Sequence, residues 1–335
     1  MINFTVSIIF GLTTNFYYNI YIKFEKKNTK LIDPTELFPE IPNIYDFPSV
    51  HAGMLYDNER VEKYNKAIKE IIKPGDVVVD IGTGTGLLAF LCLKAGAKRV
   101  HAIERSSAID WAKQIAAKNG LSDKIIFHNK DSRECDLPEK VNVVISELIG
   151  HIAFEEGMAE SLFDAKERFL VEDGVMLPER VELKVALVEE TEIYKECVEC
   201  WQDIEGVDYS FMREEAIKSF YLSDLSDYDL LSEPQSFFRT NFRNEQRMHL
   251  HNSHMFKICR PGRLNGIALW FEACLSSNVI LSSGPLAQTH WKQCFAPIAT
   301  PIIVNMSDNI NVKIDLELRT KEKDMFNFNF SINGE

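Results

Sequence analysis

The sequence has little of three features that mark common classes of protein: cysteine, net positive charge and long uninterrupted apolar segments. Its 335 residues include seven cysteines, an odd number spread from Cys92 to Cys294. This disfavours a disulfide framework and favours a reducing, cytoplasmic compartment. The 50 acidic residues exceed the 37 basic residues, and the formal net charge is -13. Because nucleic-acid-binding proteins of the simple electrostatic kind are basic, we expect no nucleic-acid partner.

The same scarcity disfavours a metal site and a membrane span. Cys197 and Cys200 form a single CxxC pair, whereas a structural zinc ion needs four ligands, so we expect no metal. Residues 2–22 are apolar and approach the length of a spanning helix, about 20 residues, but asparagine and threonine interrupt them. No basic residue precedes this segment, as a signal peptide would require. We expect it to dock on the body of the protein, which disfavours a membrane partner.

Segments typical of strands and helices alternate along the first half of the chain. The run DVVVDIG at residues 76–82 is rich in β-branched residues, as buried parallel strands are, and it follows a helix break at Pro74-Gly75. This alternation predicts an α/β, Rossmann-like fold with a mostly parallel sheet. The other predicted strands are 99–104, 125–129 and 141–147, and the predicted helices are 61–72, 87–95 and 107–118.

After Pro178 the pattern changes to alternating, strand-like stretches, which predict a second domain of β-barrel type. A helical segment at about residues 191–220 interrupts this β domain, and such an excursion is a natural dimerisation arm. We therefore expect a homodimer. The predicted domains are a lead-in at 1–50, an α/β domain at 51–178 and a β-barrel domain at 179–335.

A glycine-rich loop follows the first buried strand and opens a helix, in the sequence Asp80-Ile81-Gly82-Thr83-Gly84-Thr85-Gly86. Dinucleotide sites carry a third glycine at the position that Leu87 occupies here, and phosphate-binding loops carry a lysine that is absent here. The glycines let the backbone approach a ligand closely. The loop suits a nucleoside without phosphates, with a degenerate dinucleotide site as the alternative.

Polar residues at two further strand ends extend this interpretation. Glu104 ends the second strand, where a carboxylate can accept hydrogen bonds from both ribose hydroxyls, and Asp131-Ser132 follow the next strand, near an adenine. Because ligands of open α/β sheets bind at the carboxyl ends of strands, these groups converge on one crevice. Together with the glycine loop they predict S-adenosylmethionine as the cofactor.

Two acidic residues flank a turn after the fourth strand. Glu147 ends the strand and Gly150 permits a turn. The chain then returns toward Glu147, and Glu156 lies nine positions after it. Two carboxylates in one pocket are costly unless a cation compensates them. A guanidinium group suits them best, because its planar fork pairs with carboxylates bidentately. The alternative is a pair of surface acids in an ordinary loop.

Four spaced segments resemble the protein arginine methyltransferase family, over roughly residues 45–335. SELIGHIAFEEGM resembles the family's double-glutamate loop, and VVVDIGTGTGLLAFLCLKAGAKRVHAIE its cofactor motif. HAGMLYDNER resembles the segment before the nucleotide fold, and THWKQ the Thr-His-Trp loop of the barrel. The resemblance implies methyl transfer from S-adenosyl-L-methionine, with S-adenosyl-L-homocysteine as product, to an arginine side chain in a protein or peptide (EC class 2.1.1).

The resemblance also implies roles for individual residues. Arg60 would pair with the methionine carboxylate of the cofactor, and Glu147 and Glu156 would clamp the substrate guanidinium. His290 would pair with Asp57 and manage the departing proton. The implied catalytic residues are Asp57, Glu147, Glu156 and His290. The implied substrate-pocket residues are Tyr45, Met158 and Trp291. The implied cofactor-binding residues are Met54, Arg60, Asp80, Gly82, Thr83, Gly84, Gly86, Glu104, Arg105, Asp131 and Ser132.

The sequence departs from the family pattern at three places, the first in the cover over the cofactor and the other two near the substrate. Ile41-Pro42 stand where the family has a tyrosine–phenylalanine pair, Leu148-Ile149 replace a tryptophan–methionine pair, and His151 replaces a tyrosine. They keep two alternatives open. One is a methyltransferase for free arginine or another small guanidino metabolite. The other is a catalytically silent, cofactor-binding regulator.

Overall fold

The structure, a computed structural model, describes residues 4–11, 17–24, 44–245, 251–317 and 327–334. Its helices are α1 (Pro48–Leu55), α2 (Asn58–Ile71), α3 (Leu87–Ala95), α4 (Ala108–Lys118), α5 (Met158–Arg168) and α6 (Phe211–Ala216). Its strands are β1 (Phe4–Gly11), β2 (Tyr17–Phe24), β3 (Val77–Ile81), β4 (Arg99–Ile103), β5 (Ile125–His128), β6 (Val141–Ser146), β7 (Leu170–Leu177), β8 (Arg180–Val188), β9 (Asp203–Ile204), β10 (Val207–Asp208), β11 (Tyr221–Ser223), β12 (Gln235–Asn241), β13 (His251–Lys257), β14 (Gly262–Ser276), β15 (Val279–Ser282), β16 (Gln293–Val304), β17 (Asn309–Glu317) and β18 (Asn327–Gly334).

The first half contains a parallel sheet in the order β5-β4-β3-β6-β7, as the strand–helix alternation predicts. β3 lies at its centre and every residue of this strand is buried, which explains its β-branched sequence. The chain runs from β3 outward to β5 and then returns to place β6 on the other side of β3. This reversal opens a crevice between the carboxyl ends of β3 and β6.

Two helices show how local sequence sets the ends of elements near this crevice. α3 begins after Gly86, which has a φ of 91°, and it ends at Gly96, which has a φ of 114°. Both conformations favour glycine. α2 begins at Asn58, earlier than the periodicity alone predicts. Its N-cap residue Asp57 accepts a hydrogen bond from the backbone of Arg60, and this extends the helix by a turn.

The second half is antiparallel, as the alternating pattern predicts. One sheet has the order β11-β16-β14-β8-β12, with β15 paired to β14, and another has the order β13-β17-β18. β14 is buried along most of its length because β8 and β16 flank it on both edges. Leu269, Phe271 and Leu275 of this strand belong to a hydrophobic core shared with the parallel sheet. The loop before β16 therefore reaches the crevice from a rigid support.

The segment expected to be a helical arm is only partly helical. A π-helical turn at Tyr194–Glu199 and α6 enclose the hairpin of β9 and β10. Glu205 and Gly206, the residues between these strands, both have positive φ, at 53° and 81°. Such a two-residue turn suits a tight hairpin and interrupts a helix. The segment predicted as helical over about 191–220 therefore contains helical turns at 194–199 and 211–216 and a β-hairpin between them.

At the amino-terminal end, β1 and β2 form an antiparallel pair. The side chains through which we expected this segment to dock lie outside the described residues, as does the departure at Ile41-Pro42. Among the residues that the structure describes, no helix is long and apolar enough to cross a membrane.

Candidate active site

The glycine loop after β3 forms a tight cradle at the crevice. The backbone N–H groups of Gly82 and Thr83 both donate to the carbonyl of Ile103, at 2.9 and 3.0 Å. Gly84 donates its N–H to Oε2 of Glu104 at 3.0 Å. The carboxyl ends of β3 and β4 therefore converge as predicted, and hydrogen bonds hold the glycine loop against the end of β4.

The hydrogen bonds of the Asp80 carboxylate bear on whether this cradle fits a nucleoside cofactor. Its Oδ2 accepts hydrogen bonds from the hydroxyl of Thr83 at 2.6 Å and the N–H of Ala89 at 3.1 Å. Its Oδ1 is buried and has no hydrogen-bond partner in the described part of the chain. Burial raises the pKa of Asp80 to about 7. An orphaned acceptor beside glycine backbone fits a ligand that brings hydrogen-bond donors.

Gly82 and Gly84 of this loop lie close to side chains of neighbouring segments. A Cβ atom on Gly82 would lie 2.6 Å from Cδ2 of Leu148, and one on Gly84 would lie 3.3 Å from Cε1 of His51. Leu148 belongs to the double-glutamate hairpin, residues 147–156. This hairpin therefore packs directly on the cofactor loop. Positive φ and this close packing against Leu148 and His51 favour glycine at both positions.

Glu104 and Asp131 differ in how well they suit their implied roles. Glu104 is held by the N–H groups of Gly84 and Ser106, the latter at 2.8 Å, and each oxygen keeps a lone pair for a ribose hydroxyl. Asp131 instead forms two hydrogen bonds with the guanidinium of Arg133, at 2.9 and 2.7 Å. Arg133 lies outside the motifs that identify the other cofactor residues. The adenine contact implied for Asp131 would have to coexist with this ion pair.

Other implied cofactor residues take varied places. Ser132 is buried and Arg105 is exposed. The carbonyl of Ser132 accepts a hydrogen bond from Arg168 at 2.6 Å, which fixes the turn after β5. Met54 contributes its carbonyl to Nη1 of Arg60 at 2.9 Å.

Arg60 and Glu147, which the resemblance assigns to different ligands, pair with each other. Nε and Nη2 of Arg60 lie 2.7 and 2.6 Å from Oε2 of Glu147. Oε1 of Glu147 accepts the N–H of Ile149 at 3.1 Å. Burial opposes the charge of Arg60, but Glu147 outweighs it and the pKa of Arg60 is raised. This pair joins the predicted cofactor site to the predicted substrate clamp.

Glu156 lies at the other end of the hairpin and accepts a hydrogen bond from the hydroxyl of Tyr45 at 2.6 Å. Burial and then the charge of Glu156 raise the pKa of Tyr45 well above its ordinary value, with smaller effects from Glu147 and Glu104. The phenol therefore stays neutral and donates. The hydrogen bond places Tyr45 against the Glu156 end of the hairpin, and its role in the substrate pocket stays a prediction.

The Thr-His-Trp loop closes the site from the β domain. Nδ1 and the backbone N–H of His290 each lie 2.7 Å from Oδ2 of Asp57, as the resemblance implies. Burial opposes ionisation of Asp57, but hydrogen bonds from His290 and Arg60 prevail and lower its pKa. Trp291 donates its indole N–H to the carbonyl of Ile149 at 2.9 Å. The loop is thus tied to both α2 and the hairpin.

Two implied pocket residues are buried. Met158 begins α5 inside the hydrophobic core, and the Trp291 ring packs edge-on against Phe271 at 4.9 Å. Met158 follows the hairpin in the chain by two residues, and Trp291 is hydrogen-bonded to Ile149 within it.

Glu155 is a residue that the sequence analysis missed. It is buried, and both of its carboxyl oxygens accept from the N–H of Ile152, at 3.0 and 3.2 Å. A Cβ atom on Gly150 would lie 2.0 Å from the carboxyl carbon of Glu155, so the hairpin backbone packs directly against this carboxyl group. Burial and then Glu156 raise the pKa of Glu155 to about 8. The sequence contains one signal, the doubled acid Glu155-Glu156, but it does not show which acid is buried.

Replacing Glu155 with glutamine is expected to stabilise the protein increasingly as pH rises. The folded-state pKa of about 8 lies above the ordinary 4.5, so stability from the neutral carboxyl is present below pH 4.5 and is lost as pH rises through 8. Glutamine stays uncharged. The melting temperature of E155Q minus that of wild type should grow between about pH 5 and about pH 9. The exposed substitution E172Q is the control, and a pH-independent difference for E155Q would contradict this assignment.

The parallel sheet with its glycine cradle and acidic crevice defines a class of S-adenosylmethionine-dependent methyltransferases. Residues 65–177 match the family model described as ribosomal protein L11 methyltransferase, and residues 179–335 match the arginine methyltransferase oligomerization subdomain. Protein arginine N-methyltransferase 6 of Xenopus laevis is 31% identical over 282 residues, covering 79% of this chain and 83% of the relative. The chain belongs to the protein arginine N-methyltransferase family.

Further comparisons agree. Protein arginine N-methyltransferase 1 of Saccharomyces cerevisiae is 31% identical over 263 residues, covering 75% of each protein. The Trypanosoma brucei PRMT1 enzyme–prozyme complex with AdoHcy has a TM-score of 0.82 at 20% identity and covers 87% of this chain and 95% of that chain. Arabidopsis thaliana protein arginine methyltransferase 10 has a TM-score of 0.75 at 25% identity, covering 87% and 96%. The predicted family, fold, cofactor and arginine methylation are confirmed.

Proposed function

We propose that this chain methylates a guanidino nitrogen of arginine within a protein or peptide, and that it acts as a cytoplasmic homodimer. The observation that carries the proposal is the hairpin whose ends hold Glu147 and Glu156, placed against the glycine cradle at Gly82. His290 of the β domain pairs with Asp57 at the start of α2, the helix that carries Arg60.

The clamp addresses the difficulty of the reaction, which lies with the nucleophile. S-adenosylmethionine supplies an electrophilic methyl group on a sulfonium. A guanidinium is a weak nucleophile because its electrons are delocalised over three nitrogens. Carboxylates at Glu147 and Glu156 would hydrogen-bond to selected nitrogens and concentrate positive charge there, leaving another nitrogen more electron-rich. Orientation of such reactants contributes about 7–11 kcal/mol in favourable cases.

Arg60 can serve the cofactor without releasing Glu147. Its guanidinium has five N–H groups, and contacts with Glu147 and the Met54 carbonyl engage three of them. The remaining two would hold the methionine carboxylate. Glu104 would hold the ribose hydroxyls. Arg60 would thus fix the distance between the cofactor and the clamp.

His290 is suited to receive the proton that methylation releases. Its Nδ1 donates to Asp57, which fixes the ring and leaves Nε2 as the acceptor. Asp57 would stabilise the imidazolium that forms. The same carboxylate caps α2, so the proton acceptor and Arg60 are held by one residue.

Mass measurement tests the substrate class. Purified protein is incubated with S-adenosylmethionine and either arginine-containing peptides or free arginine. A mass gain of one or two methyl groups on the peptides alone is expected. Gain on free arginine alone would contradict the proposal, as would gain on neither.

The arm is expected to carry the homodimer. Phe211, the first residue of α6, is 65% exposed, and Ile204 and Val207 of the preceding hairpin are also exposed. Exposed apolar clusters of this kind mark interaction sites. Sedimentation should show twice the 38.4 kDa mass of one chain, and F211D should shift it to monomer. Ile280, which is 51% exposed on β15, provides the control I280D. A dimeric F211D variant would contradict the role of the arm.

A further inference from the structure

Apolar side chains are exposed at the rim of the candidate active site. Tyr56 is 83% exposed, Leu286 is 74% exposed, and Leu55 is also exposed. Leu55 ends α1 and Tyr56 is its C-cap residue, whereas Leu286 lies in the loop between β15 and β16. We call these residues the rim patch.

Hydrogen bonds join the two segments that carry the rim patch. Asp57, next to Tyr56, accepts two hydrogen bonds from His290 at 2.7 Å. Glu59 accepts the N–H of Gln288 at 3.0 Å. The rim patch therefore borders the Asp57–His290 pair and does not lie on a remote surface.

Leu286 is unusual in its backbone as well as its exposure. It has a φ of 72°, in the left-handed region that favours glycine or asparagine. A leucine in this conformation is strained, and its side chain gains no burial that would offset the strain. Such strain often persists at binding sites. A single exposed leucine needs no explanation, but a strained one, in a segment bonded to the segment of an exposed tyrosine, is typical of a binding site.

We propose that the rim patch binds an apolar side chain close in sequence to the target arginine of a polypeptide substrate. The inference rests on the proposed function. A polypeptide whose arginine reaches Glu147 and Glu156 must leave the crevice over its rim, and each extended residue spans about 3.3–3.6 Å. Neighbours of the arginine would then pass over the rim that carries Tyr56 and Leu286, whereas free arginine has no such neighbours.

Two peptides test this proposal, one with leucines flanking a central arginine and one with glycines. Their affinities are measured by isothermal titration calorimetry in the presence of S-adenosyl-L-homocysteine, and their KM values by initial rates. Wild type should bind the leucine peptide about tenfold more tightly, as expected for burial of an apolar side chain. The variant Y56S/L286N should bind both peptides equally, through a rise in Kd and KM for the leucine peptide alone.

Matched controls separate this effect from misfolding. Tyr228 is 89% exposed in the β domain, and Y228S should keep the preference. Asparagine tolerates positive φ, so L286N should not lower the melting temperature. Equal affinity of wild type for both peptides would overturn the inference, as would a preference retained in Y56S/L286N. Calorimetry needs no turnover: a preference without methylated product contradicts the proposed function alone, and product without a preference contradicts this inference alone.

Discussion

The E156Q variant is expected to lower kcat by at least about 100-fold, the cost of removing one group that stabilises transition-state charge. Glu156 would draw positive charge toward the nitrogens it contacts, and an amide does this far less well. The change should fall on kcat more than on cofactor affinity, because Glu156 accepts a hydrogen bond from Tyr45, a residue of the implied substrate pocket. Initial rates with an arginine-containing peptide measure it.

The E147Q variant should show a similar loss of kcat with an added loss of stability. Arg60 is buried against Glu147, and breaking a buried ion pair by removing one partner costs about 3–5 kcal/mol. Comparing the melting temperatures of E147Q and E156Q separates these effects. The exposed substitution E172Q serves as the control. A folded E156Q variant with unchanged kcat would show that the hairpin is not the clamp.

The G82A variant is expected to weaken S-adenosylmethionine binding by about 30-fold or more. Its Cβ would lie 2.6 Å from Leu148 in a backbone with a φ of 72°. Overpacking costs about 1–3 kcal/mol, and positive φ adds about 1–2 kcal/mol. The clash would displace the loop or the hairpin, so cofactor affinity and turnover should fall together. Calorimetric titration with S-adenosyl-L-homocysteine measures the affinity.

Gly120 provides a matched control for this substitution. It also has a positive φ, 68°, but a Cβ there would meet nothing within 4 Å. G120A should therefore lower stability by about 1–2 kcal/mol without changing cofactor affinity. Adding L148A to G82A should restore part of the affinity, because it removes the clashing side chain. If G82A and G120A behave alike, contact between the loop and the hairpin does not matter.

Local patterns predict the fold well in this chain. The β-branched run Val77–Val79 and the glycines that bound α3 act through short-range physics, and the structure agrees with them. The arm is different, because charged and apolar residues alternate there in a manner compatible with a helix. The turn at Glu205-Gly206 overrides that periodicity.

The site is predictable in its location but not in its pairings. Strand-end logic places Glu104 and Glu147 at one crevice, since parallel strands share an edge. That Arg60 pairs with Glu147, at a separation of 87 residues, depends on how α2 packs across the sheet. Burial of Glu155 beneath the hairpin depends on the same packing. Sequence spacing carries no information about either contact.

The central claim is that Glu147 and Glu156 hold a substrate arginine beside the cofactor loop. A crystal structure of the protein with S-adenosyl-L-homocysteine and an arginine-containing peptide tests it most directly. The peptide guanidinium is expected between these two carboxylates, at hydrogen-bond distances of about 2.7–2.9 Å. The guanidinium should lie within reach of His290, with Arg60 retained on Glu147. A peptide arginine bound elsewhere, with the hydroxyl of Tyr45 still hydrogen-bonded to Glu156, would show that these glutamates do not hold the substrate.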